Sequence, residues 1–583
     1  MRLRVRHRSR AAWFAVRRLG PLSRSAGGWI ALARIALAHL GKSGGIEQFG
    51  IWCHDRLALL DRRDLALYRQ WQQEVEPGLP RTSHPAAPSG VTVVLGARQL
   101  RDASETLKSL DTQANSACRL LLVVPPSEWE HASSLVSSMK LTLLAGSEEN
   151  DPEQLILSAL AGVESEYVLT LLPGAILAPN ALVEFEREAI ESRADLVYSD
   201  EDCIRDGVRC QPMFKPGASP DLLDAQDYVG PVCLFRTGAR LQEAGNVATR
   251  LYQLVREHLR GNAVVRRVPQ ILVHWSGERA VQLSPRQSAD RAQTTSRDRA
   301  GLSSDSAGIV ASIIVPTRDR SDLLQDCISS IYAHEYGFEF EVLVLDNGSR
   351  EPETLRWLSR AADARPGLRV LPADYPFNWS KLNNQGTAAA RGRVCVFLNN
   401  DVRAISQDWL ATLVRNALRD PIGAVGPLLL YPDDTIQHAG IVLGLGGVAG
   451  HVYMGCPASE SGGFAFVAPQ LPRNVLALTG ACLAVDKNKL LQQGGFDERL
   501  RICGDIDLCV RLHAAGYYNL FEPRARLYHR ESATRARESL PTAESDAVRE
   551  LFERELGGED PFYNPNLNLR SRFPTFLQPF RLG

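Results

Sequence analysis

A chain of 583 residues exceeds one ordinary core and predicts about three folding units. Hydrophobic residues make up 44% and charged residues 23%, a balance that excludes fibrous and largely disordered classes. The net charge of −1 excludes a whole-molecule basic field of the kind that grips nucleic acid.

In chain order, the chain opens with a basic, helical extension over residues 1–87. Met1 to Ile46 holds ten Arg or Lys residues and no acid. Its apolar stretch Trp29 to Leu40 carries Arg34 and is too short to span a bilayer, and no small-residue cleavage site follows a clean apolar core. Two readings stand: an amphipathic helix lying peripherally on an anionic membrane surface, or a helix packed on the next domain. With neither signal nor span, the chain is expected to work in the cytoplasm or at the cytoplasmic face of a membrane. Eleven scattered Cys without a CxxC pair fit reduced thiols.

Residues 88–283 and 310–540 read as two copies of one α/β unit, separated by a polar linker at 284–309 and followed by a tail at 541–583. In the second copy ASIIVPTRDR is a buried strand, LLQDCISSIY a helix and EVLVLDNGS a second strand. This order predicts a parallel, doubly covered sheet with its ligand site at the carboxyl ends of the strands, where Thr317 and Asp346 sit. The first copy repeats the rhythm in VTVVLGARQL and RLLLVVPPS. Likeness aligns Val94 with Ile314, Pro125 with Asp346, and His274 with His529. It sets Pro173, Gly174 and Ala175 against Asn399, Asn400 and Asp401, and Arg250 against Asp505. The first copy thereby lacks two carboxylates and reads as degenerate, with YSDED at Tyr198 to Asp202 left as a loop or binding surface.

The second copy carries the chemistry. VCVFLNNDVRA runs an apolar strand into Asn399, Asn400 and Asp401, where an oxygen ligand can hold Mg²⁺ or Mn²⁺ against a diphosphate. Asp505 and Asp507 stand just before the helical pattern LCVRLHAAG; helix capping would select them too, but one of them can serve as general base, and Asp505 stands farther from the helix body. His529, after a short strand, is a fitting last ligand for a transition metal.

The series IIVPTRDR, VLVLDNGS, FNWSKLNNQGTAAARG, VFLNNDV, TIQHAGIVLGLGGVAGH, LTGACLAV, GGFDE, GDIDLCVRL and LYHRES, in that order, resembles family 2 glycosyltransferases of the GT-A fold. It is most similar to the tandem-domain, rhamnosyltransferase-like bacterial members that build O-antigen or related surface polysaccharides. The resemblance implies two tandem GT-A (nucleotide-diphospho-sugar transferase-like, Rossmann-like) domains, and inverting transfer from a nucleotide-diphosphate sugar to a glycan or lipid-linked glycan acceptor. Rhamnose is one candidate sugar. By the same resemblance Thr317 and Asp346 contact base and ribose, Asn384, Asn400 and Gly392 shape the donor pocket, and Asp401 and His529 hold the metal. Asp505 is the base, while Thr479, Gly480, Ala481 and Asp507 lie on the acceptor side. The family often has Glu before the base, where this chain has Gly504, and its metal motif keeps one acid rather than two. TIQHAGIVLGLGGVAGH is read as a lid or acceptor wall, with His438 and His451 open to a plain packing role. A non-catalytic glycan-binding scaffold is the alternative; a nucleotidyltransferase would need a Gly-rich phosphate loop that TRDRSD does not supply.

Overall fold

The computed structural model describes residues 65–79, 90–113, 118–136, 141–238, 241–243, 248–277, 308–459, 466–530 and 541–577. The basic stretch 1–46 and nearly all of the linker lie outside them.

The first unit is built on strands β1 (Val91–Gly96), β2 (Arg119–Val124), β3 (Leu141–Ala145), β4 (Tyr167–Leu171), β5 (Ala175–Leu177), β6 (Leu196–Arg205), β7 (Val208–Met213), β8 (Leu234–Arg236) and β9 (Val265–Ser276). They form one sheet in the order β3-β2-β1-β4-β8-β6-β9-β5, with β7 paired to β6. The second unit contributes β10 (Ala311–Thr317), β11 (Phe340–Asp346), β12 (Leu368–Pro372), β13 (Val394–Leu398), β14 (Val402–Ala404), β15 (Ile422–Leu430), β16 (Ile436–His438), β17 (Ile441–Leu443), β18 (Ala449–His451), β19 (Arg473–Val475), β20 (Cys482–Asp486) and β21 (Tyr518–His529). Its main sheet runs β12-β11-β10-β13-β20-β15-β21-β14, with β16 and β19 off that path. Strand for strand the two orders correspond, so the chain holds one α/β architecture twice.

The sheet is mixed. Strands β12, β11, β10 and β13 are parallel, but β20 runs antiparallel to both β13 and β15. Continuous apolar runs report burial on both faces, not strand direction, which is why the sequence pattern suggested parallel strands throughout. Val394 to Leu398 is buried at every position, as are Ile422 to Leu430 and Cys482 to Asp486.

Seven helices carry functional side chains or brace the two units: α1 (Leu65–Glu74), α2 (Pro220–Ala225), α3 (Leu251–Arg260), α4 (Ser321–Tyr332), α5 (Trp379–Ala389), α6 (Gly504–Ala514) and α7 (Thr542–Leu556). Helix α1 is part of the first unit's body: Tyr68 and Trp71 are each 1% exposed, and Trp71 packs on Phe214 while Tyr68 stacks on Phe576. The Tyr68 hydroxyl donates to Asp202 at 2.5 Å.

The units share one apolar core, in which Leu222, Leu223 and Tyr228 of the first join Leu476, Leu478 and Phe521 of the second. At its rim, Asn474 on β19 accepts from Ser219 Oγ at 3.0 Å and donates to Asp221 Oδ2 at 2.8 Å, and Arg419 pairs with Asp221 at 2.6 Å. The stretch after Pro541 fastens both units. Asn564 Nδ2 donates to both oxygens of buried Asp200 at 2.9 Å, and Pro561 O accepts from Gly217 N. The β17–β18 hairpin hangs on the same stretch, through Leu443 N to Asp560 Oδ2, Gly446 N to Leu569 O and Tyr453 N to Arg572 O.

Candidate functional site

Strand pairing alone gathers most of the expected residues at one sheet edge. Thr317 and Asp346 end β10 and β11 as Cα partners of a parallel pair. Strand β13 ends at Leu398, and the following Asn399 N–H donates to Ala481 O at 2.9 Å, because Leu398 pairs with Cys482 at the start of β20. Asn400 Nδ2 donates to Thr317 Oγ1 at 2.9 Å, with both side chains buried. One residue on, Asp401 precedes β14, whose Val402 pairs with His529 at the end of β21. That register sets His529 Nε2 3.3 Å from Asp401 Oδ1.

The loop after Thr317 is held in unusual backbone. Asp319 and Arg320 both take φ of 54°, a left-handed conformation that costs a non-glycine residue on the order of 1 kcal/mol or more. Asp319 Oδ1 offsets this by accepting from the N–H groups of Arg350 and Glu351 at 2.6 and 2.8 Å, which locks the loop after β10 to the loop after β11.

Asp505 stands opposite. Helix α6 begins at Gly504, so Asp505 lies inside its first turn rather than before it. Its Oδ2 accepts from Gly480 N at 2.6 Å and its Oδ1 from Ile506 N at 2.8 Å. Gly480 is one residue from Ala481, the partner of Asn399, so the carboxylate is held beside the strand end that pairs with the Asn399–Asp401 turn. The side chain keeps partial exposure. Burial nonetheless pushes its pKa up to about 6, outweighing the N–H groups of Gly480, Ile506 and Asp505 itself that favour the ionised form.

Two glycines here are set by neighbours. A Cβ on Gly480 would lie 2.3 Å from the Trp379 ring, and one on Gly504 2.2 Å from Ser380 Oγ. Trp379 and Ser380 open α5, and Ser380 Oγ donates to Leu500 O at 2.5 Å. The departure at Gly504 therefore has a steric cause: Ser380 fills the space of a side chain.

Other expected residues lie elsewhere. Asn384 is spent on the Gly495–Glu498 loop, donating to Phe496 O and Glu498 Oε1 and accepting from Phe496 N. Asp507 turns away to Arg511, at 2.5 Å, whose guanidinium also donates to the carbonyls of Gln493 and Gly495. Gly392 is misplaced in the donor pocket: its Cβ would meet Ala311 and Ser312, at the amino-terminal end of β10. That is the far end of the sheet from Thr317. Thr479 Oγ1 accepts from Ala481 N at 3.3 Å. His438 is fully buried, with Nδ1 2.9 Å from His451 Nδ1 and a pKa held down by burial.

Register also corrects the alignment of the copies by one residue. Val91 pairs with Tyr167 as Ala311 pairs with Val394, so Pro173 and Gly174 stand where Asn400 and Asp401 stand. Gly174 O accepts from Ser276 N as Asp401 O accepts from Arg530 N, which makes Trp275, not His274, the counterpart of His529. Strand pairing likewise makes Val124, not Pro125, the match of Asp346. Thr317 is answered by Ala97, and Arg250 at the start of α3 answers Asp505. All six polar side chains of the second site are thus replaced in the first unit. His274 points to the opposite face, bonded to Asp202 Oδ1 at 2.5 Å. The YSDED run is neither loop nor surface, since Tyr198 to Asp202 are buried in β6.

Residues 312–440 match the model of the family described as glycosyl transferase family 2. Among curated relatives, "Uncharacterized protein y4gI" of Sinorhizobium fredii (strain NBRC 101917 / NGR234) is 33% identical over 458 residues, covering 71% of this chain and 49% of that protein. "O-antigen biosynthesis protein RfbC" of Myxococcus xanthus is 31% identical over 500 residues, covering 80% of this chain and 39% of that protein. The N-acetylglucosaminyl-diphospho-decaprenol L-rhamnosyltransferase of Mycobacterium tuberculosis (strain ATCC 25618 / H37Rv) is 27% identical over 221 residues, 34% of this chain and 68% of that protein. The chain spans half or less of the length of the first two.

Proposed function

We propose, from the premise that the second unit carries a family 2 glycosyltransferase domain, that the chain transfers a sugar from a nucleotide-diphosphate donor to a glycan or lipid-linked glycan acceptor, with inversion, in bacterial surface-polysaccharide synthesis. The names of the Myxococcus and Mycobacterium relatives support the polysaccharide setting and put rhamnose among the candidate sugars. One observation supports the reading: Asp401 and His529 face each other at the carboxyl edge of the second sheet and Asp505 is bonded to Gly480, next to the partner of Asn399 at that edge, while the counterparts in the first unit are Gly174, Trp275 and Arg250.

Asp505 acts as general base on the acceptor hydroxyl. A carboxylate with a pKa of about 6 is ionised at neutral pH and more basic than an ordinary Asp, which suits it to take a proton as the oxygen attacks. Gly480 N–H fixes one oxygen, so the carboxylate is oriented before substrate arrives. With one base and no second carboxylate as nucleophile, displacement is single and in line, and the anomeric centre inverts. Thr317, Asn400 and Asp346 line the strand ends where the nucleoside would lie.

A divalent ion, Mg²⁺ or Mn²⁺, fits the pair Asp401 and His529. Their facing atoms are 3.3 Å apart, and two adjacent ligands with bonds of about 2.1 Å stand roughly 3 Å apart. Among the described residues no group of three or more His, Cys, Asp or Glu surrounds a metal position, so the remaining ligands would come from diphosphate and water. When bound, the ion would neutralise charge on the departing diphosphate.

Among the described residues no helix is long and apolar enough to cross a membrane. The cationic stretch 1–46 would bring the chain to an anionic cytoplasmic surface, where a lipid-linked acceptor is reached. The reading is tested by release of nucleoside diphosphate from a donor panel that includes dTDP-rhamnose, with Asp505→Asn beside the wild type. A loss of about 10²- to 10⁴-fold is expected, with donor binding retained. Undiminished turnover in that variant would refute the assignment of the base.

A further inference from the structure

We infer that Glu544, on helix α7, is a positioning residue for Asp505. The inference rests on the reading of Asp505 as base and adds a residue that lies outside the sheet-edge constellation.

Glu544 is 5% exposed, and its Oε2 accepts from Ile502 N at 2.9 Å and from Cys503 N at 3.1 Å. Those are the two peptide groups directly before α6. The N-cap residue Cys503 makes no side-chain cap bond, so without Glu544 the buried N–H of Cys503 and the half-buried N–H of Ile502 both lose this acceptor. Asp505 is thereby gripped from two sides: Glu544 fixes the chain leading into it, and Gly480 N–H holds its carboxylate from the strand side. No cap could come from position 504, where Ser380 occupies the room. Helix α7 is itself fixed, with Val548, Leu551 and Phe552 buried in the shared core and Pro541 O accepting from the N–H groups of Glu544 and Ser545.

The same placement sets a second negative charge beside the base. Among the described residues Glu544 on α7 acts on Asp505 and on the Cys503 thiol, while on its own helix Asp505 shares Cys509 with Asp507 and Arg511. Arg511 offsets Asp507 through their ion pair, and the strand side contributes the peptide N–H of Gly480. Glu544 is thus the carboxylate whose charge opposes ionisation of Asp505 and adds to the effect of burial.

The test compares Glu544→Gln with Glu544→Ala in the full chain. Gln keeps an oxygen that accepts from Ile502 and Cys503 and removes the charge. With the nucleotide sugar that turns over in the panel, the acid limb of kcat/KM should move down by about half a pH unit in E544Q. E544A should lose about tenfold in kcat with the donor KM unchanged, and E544Q should recover most of it. Without any substrate, the pH-dependent stability difference between wild type and Asp505→Asn should shrink in an E544Q background. An unmoved limb and an unchanged stability difference in E544Q would overturn the role of Glu544, even if Asp505→Asn is inactive. An active Asp505→Asn enzyme would instead overturn the base assignment.

Discussion

Replacing Asp505 by Asn should stabilise the protein relative to the wild type as pH rises, by an amount set by the carboxyl's surroundings. The side chain goes from an ordinary value of 3.8 to about 6 on folding. Ionisation is disfavoured in the folded state, so the unfolded chain releases this proton first. Wild-type stability therefore falls as pH climbs from about 4 through 6 and levels off above 7. Two units correspond to a ceiling of about 3 kcal/mol, and partial exposure of the side chain reduces it to on the order of 2. Between pH 5 and 8 the change is roughly 1 kcal/mol, since part of the effect is already present at pH 5. Asn does not titrate. It keeps one acceptor where the carboxylate has two, so the N–H of Gly480 or Ile506 loses a partner at about 1 kcal/mol, at every pH alike. Urea unfolding of both proteins at pH 5, 6.5 and 8, followed by tryptophan fluorescence, isolates the titrating part as the slope of the difference. A difference that stays flat with pH, or turns toward the wild type at pH 8, would show that this carboxyl is not perturbed and would remove the basis for its basicity.

Asp401→Ala should abolish Mn²⁺-dependent binding of nucleoside diphosphate while leaving the fold intact, which calorimetry with and without Mn²⁺ measures. Gly504→Ala should cost about 2 kcal/mol, because the added carbon must displace Ser380 Oγ, and Ser380→Ala in the same chain should return much of that in chemical denaturation. Asn564→Ala removes both Nδ2 contacts from an Asp200 that is 0% exposed, so about 3 kcal/mol should be lost, and hydrogen exchange should rise in the β17–β18 hairpin that hangs on the same stretch.

Much of the site could be read from the chain because it depends on local order. A strand that ends in Asn399, Asn400 and Asp401 delivers a carboxylate to the sheet edge whatever surrounds it, and the apolar runs at Ala311, Val394 and Cys482 mark the strands that do so. Register could not be read. Side chains alternate faces with every residue, so an error of one in matching the copies moved the expected counterpart from Trp275 to His274 and overstated what the first unit retains. Long-range partners were equally silent. Asn384 and Asp507 look like site residues by motif, yet their bonds to Phe496 and Arg511 depend on packing that no spacing reveals. Glu544 lay in what read as a tail. Pro541 before an amphipathic run did signal a helix start there, but nothing in that pattern says which loop the helix will cap.

The apolar interior common to both sheets has a consequence for how the molecule comes apart. Severing the polar connection between residues 278 and 307 would leave two pieces that each expose a broad greasy surface fitted to the other, with Asn474 and Asp221 at its margin and Asn564 reaching across. Such a nicked molecule should stay associated through gel filtration, and separately expressed halves should find one another. An excised second unit, even one that retains every residue around Asp505, should aggregate unless the first unit is present to cover it.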